Sequence, residues 1–322
     1  MADPQVVVIG AGMAGAACAR GLAEAGVTVR VMDRGRAPGG RLAAPELHGR
    51  RVDLGAAYFT ARDDDFRALA EQWRAAGTAR PWTSTFAVAG PDGVERDTSG
   101  PMRWAATEGL RALVRDRLAG IELRLETTVQ AIERVDGRPA VDGHGADVVV
   151  VALPDPQTAR LRIDRTLRPE EAGSVGFDPV MTLAAGWDER QWPFPDAAFV
   201  HDHPDLEFVA DDGARRGDGA PVLVAHSTAT LARRFLDRPD DAATPLLAAL
   251  ADVFGITAEP SWTTVHRWTV AKPRATHPQT HLLGDAGLAW CGDAWCPSGS
   301  PRVESAWRSG TDLAAAIVAR LA

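Results

Sequence analysis

The sequence predicts an α/β protein of two domains. Three observations carry this. The chain opens with an apolar strand, a glycine-rich turn, a helix and a second strand, the βαβ order of a parallel sheet. Its middle third changes to short strand-like runs between proline- and glycine-rich turns. At 322 residues it is long enough for two domains and a large core.

The elements follow in order. Val6-Val7-Val8-Ile9 is a continuous apolar run, as a strand buried on both faces requires. Gly10 ends it. Residues 13–25 read as a helix, with Met13, Ala16, Ala19, Leu22 and Ala23 on one face and Gly26 as the stop. Thr28–Met32 is the second strand and ends at Asp33. Residues 34–57 are irregular. Asp63–Ala76 is helical by the spacing of Phe66, Leu69, Ala70 and Trp73. Phe86–Val88 and Val94–Arg96 flank Gly90-Pro91-Asp92-Gly93, a hairpin signal. Thr107–Leu118 is a further amphipathic helix, and Glu122–Leu125, Val129–Val135 and Asp147–Ala152 read as strands.

Residues 155–280 hold strand-like runs at Met181–Gly186, Ala198–His201, Leu206–Ala210, Val222–His226 and Thr263–Val270. Helices near 228–236 and 242–254 interrupt them. This is the pattern of an α+β domain on a mostly antiparallel sheet. Leu288–Gly292 is a last strand. A helix then runs to the C-terminus, with Ser300 as its N-cap and Pro301 in its first position.

Composition excludes several classes. The formal net charge of −8 argues against a nucleic-acid surface. No apolar run approaches the ~20 residues of a membrane helix. Met1–Gln5 has no basic region, and Val6–Ile9 is too short for a signal core. Cys18, Cys291 and Cys296 make no disulfide framework, which points to a reducing, cytoplasmic setting. The His and Cys residues show no metal-ligand spacing, so no metal is expected. All but one of the basic residues are arginine, the exception being Lys272, so arginine clusters carry little information. Tyr58 is the single tyrosine.

The first turn carries the functional reading. Gly10, Gly12 and Gly15 sit directly after a strand and open a helix, the context in which G-x-G-x-x-G binds a dinucleotide. The first glycine makes the tight turn, the second lets backbone approach a pyrophosphate, and the third allows close helix–strand packing. The phosphates meet free N–H groups and the positive end of the helix dipole. Asp33 ends the second strand, where its carboxylate can accept from an adenosine ribose. Its charge opposes a 2′-phosphate, so an NADP-like nucleotide is not expected there. Gly39-Gly40-Arg41 then returns over the pyrophosphate, which a plain NAD site does not need.

The spacing Gly10, Gly12, Gly15, Ala19, Leu22, Gly26, Val29, Val31, Asp33, Gly39, Gly40, Arg41 resembles the FAD signature of glutathione-reductase-type two-domain flavoproteins, in the branch holding amine oxidases and renalases. Trp290-Cys291-Gly292-Asp293 and the following helix resemble that family's second cofactor segment. Asp53-Leu54-Gly55-Ala56-Ala57-Tyr58 resembles a renalase stretch lying along the flavin, and Thr127-Thr128-Val129 the strand that meets the adenine. Gly100-Pro101-Met102-Arg103-Trp104, His266-Arg267-Trp268 with Ala271-Lys272-Pro273, and Pro301–Trp307 look like bacterial renalase-like oxidoreductases.

The resemblance implies a Rossmann-like FAD-binding domain with an inserted substrate domain. Residues 1–57, 103–155 and 281–322 would form the first, and 58–102 and 156–280 the second. It implies noncovalent FAD on Gly10, Ala11, Gly12, Met13, Ala14, Gly15, Asp33, Arg34, Gly40, Arg41, Ala56, Ala57, Tyr58, Val129, Gly292, Asp293 and Val303. It also implies hydride transfer from a small organic donor to FAD and then to O2, giving H2O2. For renalases the donors are dihydronicotinamide isomers, restored to NAD(P)+.

Catalytic candidates are Tyr58, Trp268, Lys272 and Trp295. Each also has a plain reading: core packing for the aromatics and a surface loop for the lysine. Cys296 reads as a free buried thiol, and Glu304 as a surface partner of Arg308. No carboxylate–histidine pair stands at recognisable spacing. Two other readings stay open. One is a flavin amine oxidase or carotenoid-type desaturase; the two-tyrosine cage of many amine oxidases cannot form here, and a tryptophan in place of the second tyrosine stays open. The other is a flavin-bound isomerase or binding protein without net redox turnover.

Overall fold

The structure, a computed structural model, describes residues 5–169, 172 and 175–322. Met1–Pro4, read above for a targeting signal, lie outside the described residues. The chain divides into two compact units. The first comprises Met1–Leu42, Arg111–Phe177 and Pro273–Ala322, and the second Ala43–Leu110 and Asp178–Lys272. These junctions differ from the expected ones. Segments 43–57 and 103–110 fall in the second unit, and 156–177 and 273–280 in the first. Buried carboxylates give the reason. Asp53 accepts the Leu110 N–H at 2.8 Å and Arg216 at 3.0 Å, all within the second unit. Asp155 accepts the Val175 N–H at 2.8 Å and meets the His277 ring at 2.9 Å, all within the first.

The first unit is built on a six-stranded sheet. Its order is Leu282–Leu283, Leu288–Trp290, Val148–Val151, Val6–Ile9, Val29–Met32, Glu122–Arg124. All neighbours pair parallel except the antiparallel edge strand Leu282–Leu283. Val8 stands opposite Val150 and Val31 on one face and Val7 opposite Val149 on the other, so β-branched side chains fill both faces. A four-stranded sheet in the order His144–Gly145, Arg138–Val141, Ala131–Val135, Arg162–Ile163 completes the unit.

The helix Met13–Glu24 packs closely against the C-terminal helix Val303–Leu321. A Cβ added at Gly310 would lie 2.1 Å from the Ala14 carbonyl oxygen, so only glycine allows this backbone approach. The C-terminal helix starts later than expected. Arg302, not Ser300, is the N-cap, and its N–H donates to Ser305 Oγ at 2.7 Å in a capping box. Two other boundaries also move. The helix expected over Thr107–Leu118 is Arg111–Arg117, because Gly109 takes a positive φ of 81°. The strand expected from Val129 begins at Ala131, leaving Thr127-Thr128-Val129 outside any strand.

The second unit's sheet has eight strands: Trp262–Pro273, Phe177–Gly186, Val222–Ser227, Leu206–Asp211, Ala197–Val200, Ala79–Gly90, Gly93–Ala106 and Phe59–Thr60. Ala197–Val200 pairs parallel with Ala79–Gly90, and the other described pairings are antiparallel. The hairpin seen in sequence as two short runs is far longer, with register shifts between Pro81 and Thr85.

Period-two alternation gives this sheet two faces. On one, Leu183, Ala225, Val209 and Ala198 pack under Leu246, Leu250 and Val253 of the helix Ala243–Phe254. On the other, Thr182, His226, Phe208 and Phe199 stand in register across four strands. Three buried or part-buried arginines of this unit are paired: Arg215 with Asp212, Arg50 with Asp212 at 2.6 Å, and Arg216 with Asp53. Burial, with Arg216 and Arg50 nearby, lowers the Arg215 guanidinium to about 10.

Candidate functional site

In the first unit the strand Val6–Ile9 ends at Gly10, whose φ is 109°. A Cβ there would sit 2.6 Å from the Ala152 carbonyl oxygen, so the turn requires glycine. Gly15 lies so close to Gly10 that a Cβ would meet its carbonyl oxygen at 2.0 Å, which brings the helix start onto the strand end. Gly12 is the N-cap, and a Cβ there would meet nothing within 4 Å. No side chain caps this helix among the described residues, and its first turn holds no acidic residue. The first-turn N–H groups therefore lack the partners a helix N-terminus needs, around an open space the size of a missing side chain.

The second glycine pair folds back onto the first turn. Gly39 N–H donates to the Ala11 carbonyl at 2.8 Å. Gly40, at φ 51°, would place a Cβ 3.6 Å from Gly12 Cα. Asp33 ties these pieces together. Its carboxylate accepts from Ala11 N–H and Gly35 N–H, each at 2.7 Å. Each carboxylate oxygen keeps a further lone pair. Asp33 is thus a structural anchor that still has acceptor capacity to spare.

Arg41 and Asp293 meet in a bidentate ion pair, and the guanidinium lies 5.5 Å above the Phe177 ring. Gly292 N–H donates to the buried Ser309 Oγ at 2.9 Å, which fixes the loop to the C-terminal helix. Val303 is buried at the start of that helix. Glu304 is buried, not on the surface as expected, and its carboxylate lies 3.0 Å from Arg302. Arg34 is exposed, and Val129 is buried in the core. Among the described residues, backbone donors without partners, an open space at Gly12 and a carboxylate with spare lone pairs fit a dinucleotide cofactor.

The remaining candidates separate. Trp295 belongs to the first unit's core, stacked on His277 with ring centroids 3.8 Å apart. This is the core packing of its plain reading. Ala56, Ala57 and Tyr58 belong to the second unit, where Ala57 C=O accepts from Arg215 at 2.9 Å. Trp268 packs on Val52, Leu54, Ala184 and Val224 and donates to Leu54 C=O at 3.0 Å. Lys272 pairs with Glu207. Tyr58 is half-buried in an aromatic cluster with Trp82, Phe86 and Phe208, at centroid distances of 6.4, 5.3 and 6.3 Å. Cys296 is buried and free.

Sequence reading missed three features. Asp155 and His277 form a buried pair although 122 residues separate them, so a carboxylate–histidine pair does exist. Phe177 carried no motif. His226 sits on the aromatic face, 5.6 Å from Phe208, inside a run read only as a strand. Burial, then the Arg215 charge, depresses its pKa to about 4. Its Nε2 has no hydrogen-bond partner among the described residues. Among these residues no group of three His, Cys, Asp or Glu could hold a metal ion, and no helix is long and apolar enough to cross a membrane.

Comparison with known proteins agrees with this geometry. Residues 8–73 match an NAD(P)-binding Rossmann-like domain, and residues 89–318 match the flavin-containing amine oxidoreductase family. The chain belongs to that family. It is a FAD-dependent oxidoreductase by class, and FAD is its cofactor. A hydroxyneurosporene desaturase from Rhodobacter capsulatus is 30% identical over 171 residues, which are 52% of this chain and 32% of that protein. A phytoene dehydrogenase from Streptomyces griseus is 34% identical over 162 residues, 47% of this chain and 30% of that protein. The matched stretch thus spans about a third of these curated relatives. The cyclohexylamine oxidase from Brevibacterium oxydans IH-35A superposes with a TM-score of 0.77 at 14% identity, over 99% of this chain and 100% of that one. At that identity the likeness concerns the fold.

Proposed function

We propose a renalase-like reaction. A small organic donor, a dihydronicotinamide, gives a hydride to FAD, and O2 takes the electron pair to give H2O2. Within the flavoproteins, the glycine pattern supports the glutathione-reductase-type arrangement. Asp33, the first-turn N–H groups after Gly12, and the Gly39-Gly40 return would hold the dinucleotide portion. Gly292 and Asp293, positioned by Ser309 and Arg41, would hold its other segment. Bound FAD supplies the two-electron acceptor.

The observation that carries the donor class is the makeup of the second unit's aromatic face. Tyr58, Trp82 and Phe199, backed by the buried Phe86 and Phe208, offer flat surfaces, and one tyrosine cannot build a two-tyrosine cage. His226 is neutral at physiological pH and is a weak base, because its pKa is near 4. A donor that already carries its hydride needs alignment and exclusion of water, which stacking rings provide, and no strong base. Three free cysteines support a reducing, cytoplasmic setting.

The desaturase and amine-oxidase relatives define the competing substrates, and one experiment separates them. The purified holoenzyme is mixed anaerobically with 2- and 6-dihydronicotinamide dinucleotides and, separately, with primary and secondary amines. Rapid bleaching by the dihydronicotinamides and recovery with oxygen, yielding H2O2, is expected. Bleaching by an amine only would overturn the donor assignment.

A further inference from the structure

We infer that the aromatic face of the second unit binds a planar ligand carrying an anionic group, and that Arg103 reads that charge. Three arginines are buried among the described residues: Arg30, Arg103 and Arg215, at 8%, 6% and 1% exposure. Arg30 is paired with Glu122 at 2.8 Å, and Arg215 with Asp212. Arg103 has no carboxylate partner among the described residues, and its Nη1 is buried without a hydrogen bond. Its guanidinium lies 3.8 Å over the Phe86 ring and 5.7 Å from Tyr58.

Arginine stays charged in a protein, and a buried charge is stable only when paired. A ring face compensates a cation in part and leaves the N–H donors unmet. Trp82 Nε1, on the same cluster 5.2 Å centroid-to-centroid from Phe86, is a second buried donor without a partner among the described residues. Both unmet atoms donate, so the absent partner is an acceptor, and beside a guanidinium an anion is favoured over a neutral group. Tyr58 and Trp82 are only half-buried, so a flat ligand has rings to stack on next to these donors.

This deepens the donor reading above, on which it rests for taking this face as the donor site. A dihydronicotinamide dinucleotide supplies both a flat ring and phosphate. A protonated amine would instead face an uncompensated cation. Binding needs no turnover, so the inference can fail while the reaction stands, and the reverse.

The test is calorimetric titration of the oxidised holoenzyme with four probes. Nicotinate carries its anion on the ring, nicotinamide mononucleotide on a phosphate, nicotinamide none, and 3-(aminomethyl)pyridine is a cation. One or both anions should bind roughly tenfold or more tighter than nicotinamide, with the cation weakest. The anion that gains tells whether Arg103 reads a ring carboxylate or a phosphate. Arg103→Met should abolish the preference while nicotinamide binding persists, and Arg103→Lys should keep part of it. Anions binding no tighter than nicotinamide, binding of none of the probes, or a folded Arg103→Met that keeps the preference would overturn the inference. If Arg103→Met does not fold, the wild-type ranking and Arg103→Lys decide.

Discussion

Arg41 and Asp293 share two hydrogen bonds, of 2.8 and 2.6 Å, although 252 residues separate them. The pair joins the glycine return after the second strand to the loop after the last one. Segments from both ends of the sequence are thereby joined within the first unit. Two parallel N–H···O bonds fix orientation as well as distance.

The first prediction follows from this pair. Arg41→Ala and Asp293→Asn should each weaken FAD affinity about tenfold, and the double variant little further, since each single change already breaks the shared contact. Equilibrium dialysis of FAD measures it. Fully additive losses would mean that the two residues act on the cofactor separately.

Asp33→Ala removes two acceptors inside the protein as well as the acceptor proposed for the ribose. It should lower FAD retention and also the apo-protein's melting temperature, by about 1–3 kcal/mol of stability for the unpaired N–H groups. Asp33→Asn keeps one acceptor oxygen and should fall between. Loss of FAD with an unchanged apo melting curve would remove the anchoring role given to the bonds to Ala11 and Gly35.

Gly310→Ala should destabilise by about 1–3 kcal/mol or more, because the added Cβ would enter the Ala14 carbonyl. Gly145→Ala is the matched control: a Cβ there meets nothing within 4 Å. Denaturant midpoints compare the two. Equal shifts would contradict the helix contact.

His226 gives a pH signature. Burial and the Arg215 charge hold its folded pKa at about 4, below an unfolded value of about 6.5. Between these the unfolded chain binds the extra proton, so stability rises with pH. The contribution is complete above about pH 6.5 and is lost as pH falls toward 4, a loss of order 3 kcal/mol. His226→Gln should therefore lose less stability than wild type between pH 7 and 4.5 in urea titrations. Parallel profiles would place His226 elsewhere.

The sequence by itself determined the parts whose causes are local. The valine run, the glycines at 10, 12 and 15 and the charge at Asp33 define the opening βαβ unit, because backbone conformation and burial period are set by near neighbours. The cofactor class was legible there, since a phosphate turn is a contiguous stretch of chain.

Tertiary structure decided which distant side chains meet. No spacing rule joins Arg41 to Asp293 or Asp155 to His277. Nor does any rule reveal that Arg103, inside a motif noted for its resemblance, lies on Phe86 without a carboxylate among the described residues. The unit boundaries also depend on such meetings, as at Asp53 with Leu110 and Arg216. Such partners are fixed by strand register and packing over more than a hundred residues, and one residue's shift in a strand turns a side chain to the opposite face. Local sequence holds the conformations; the pairings exist only once the sheets have closed.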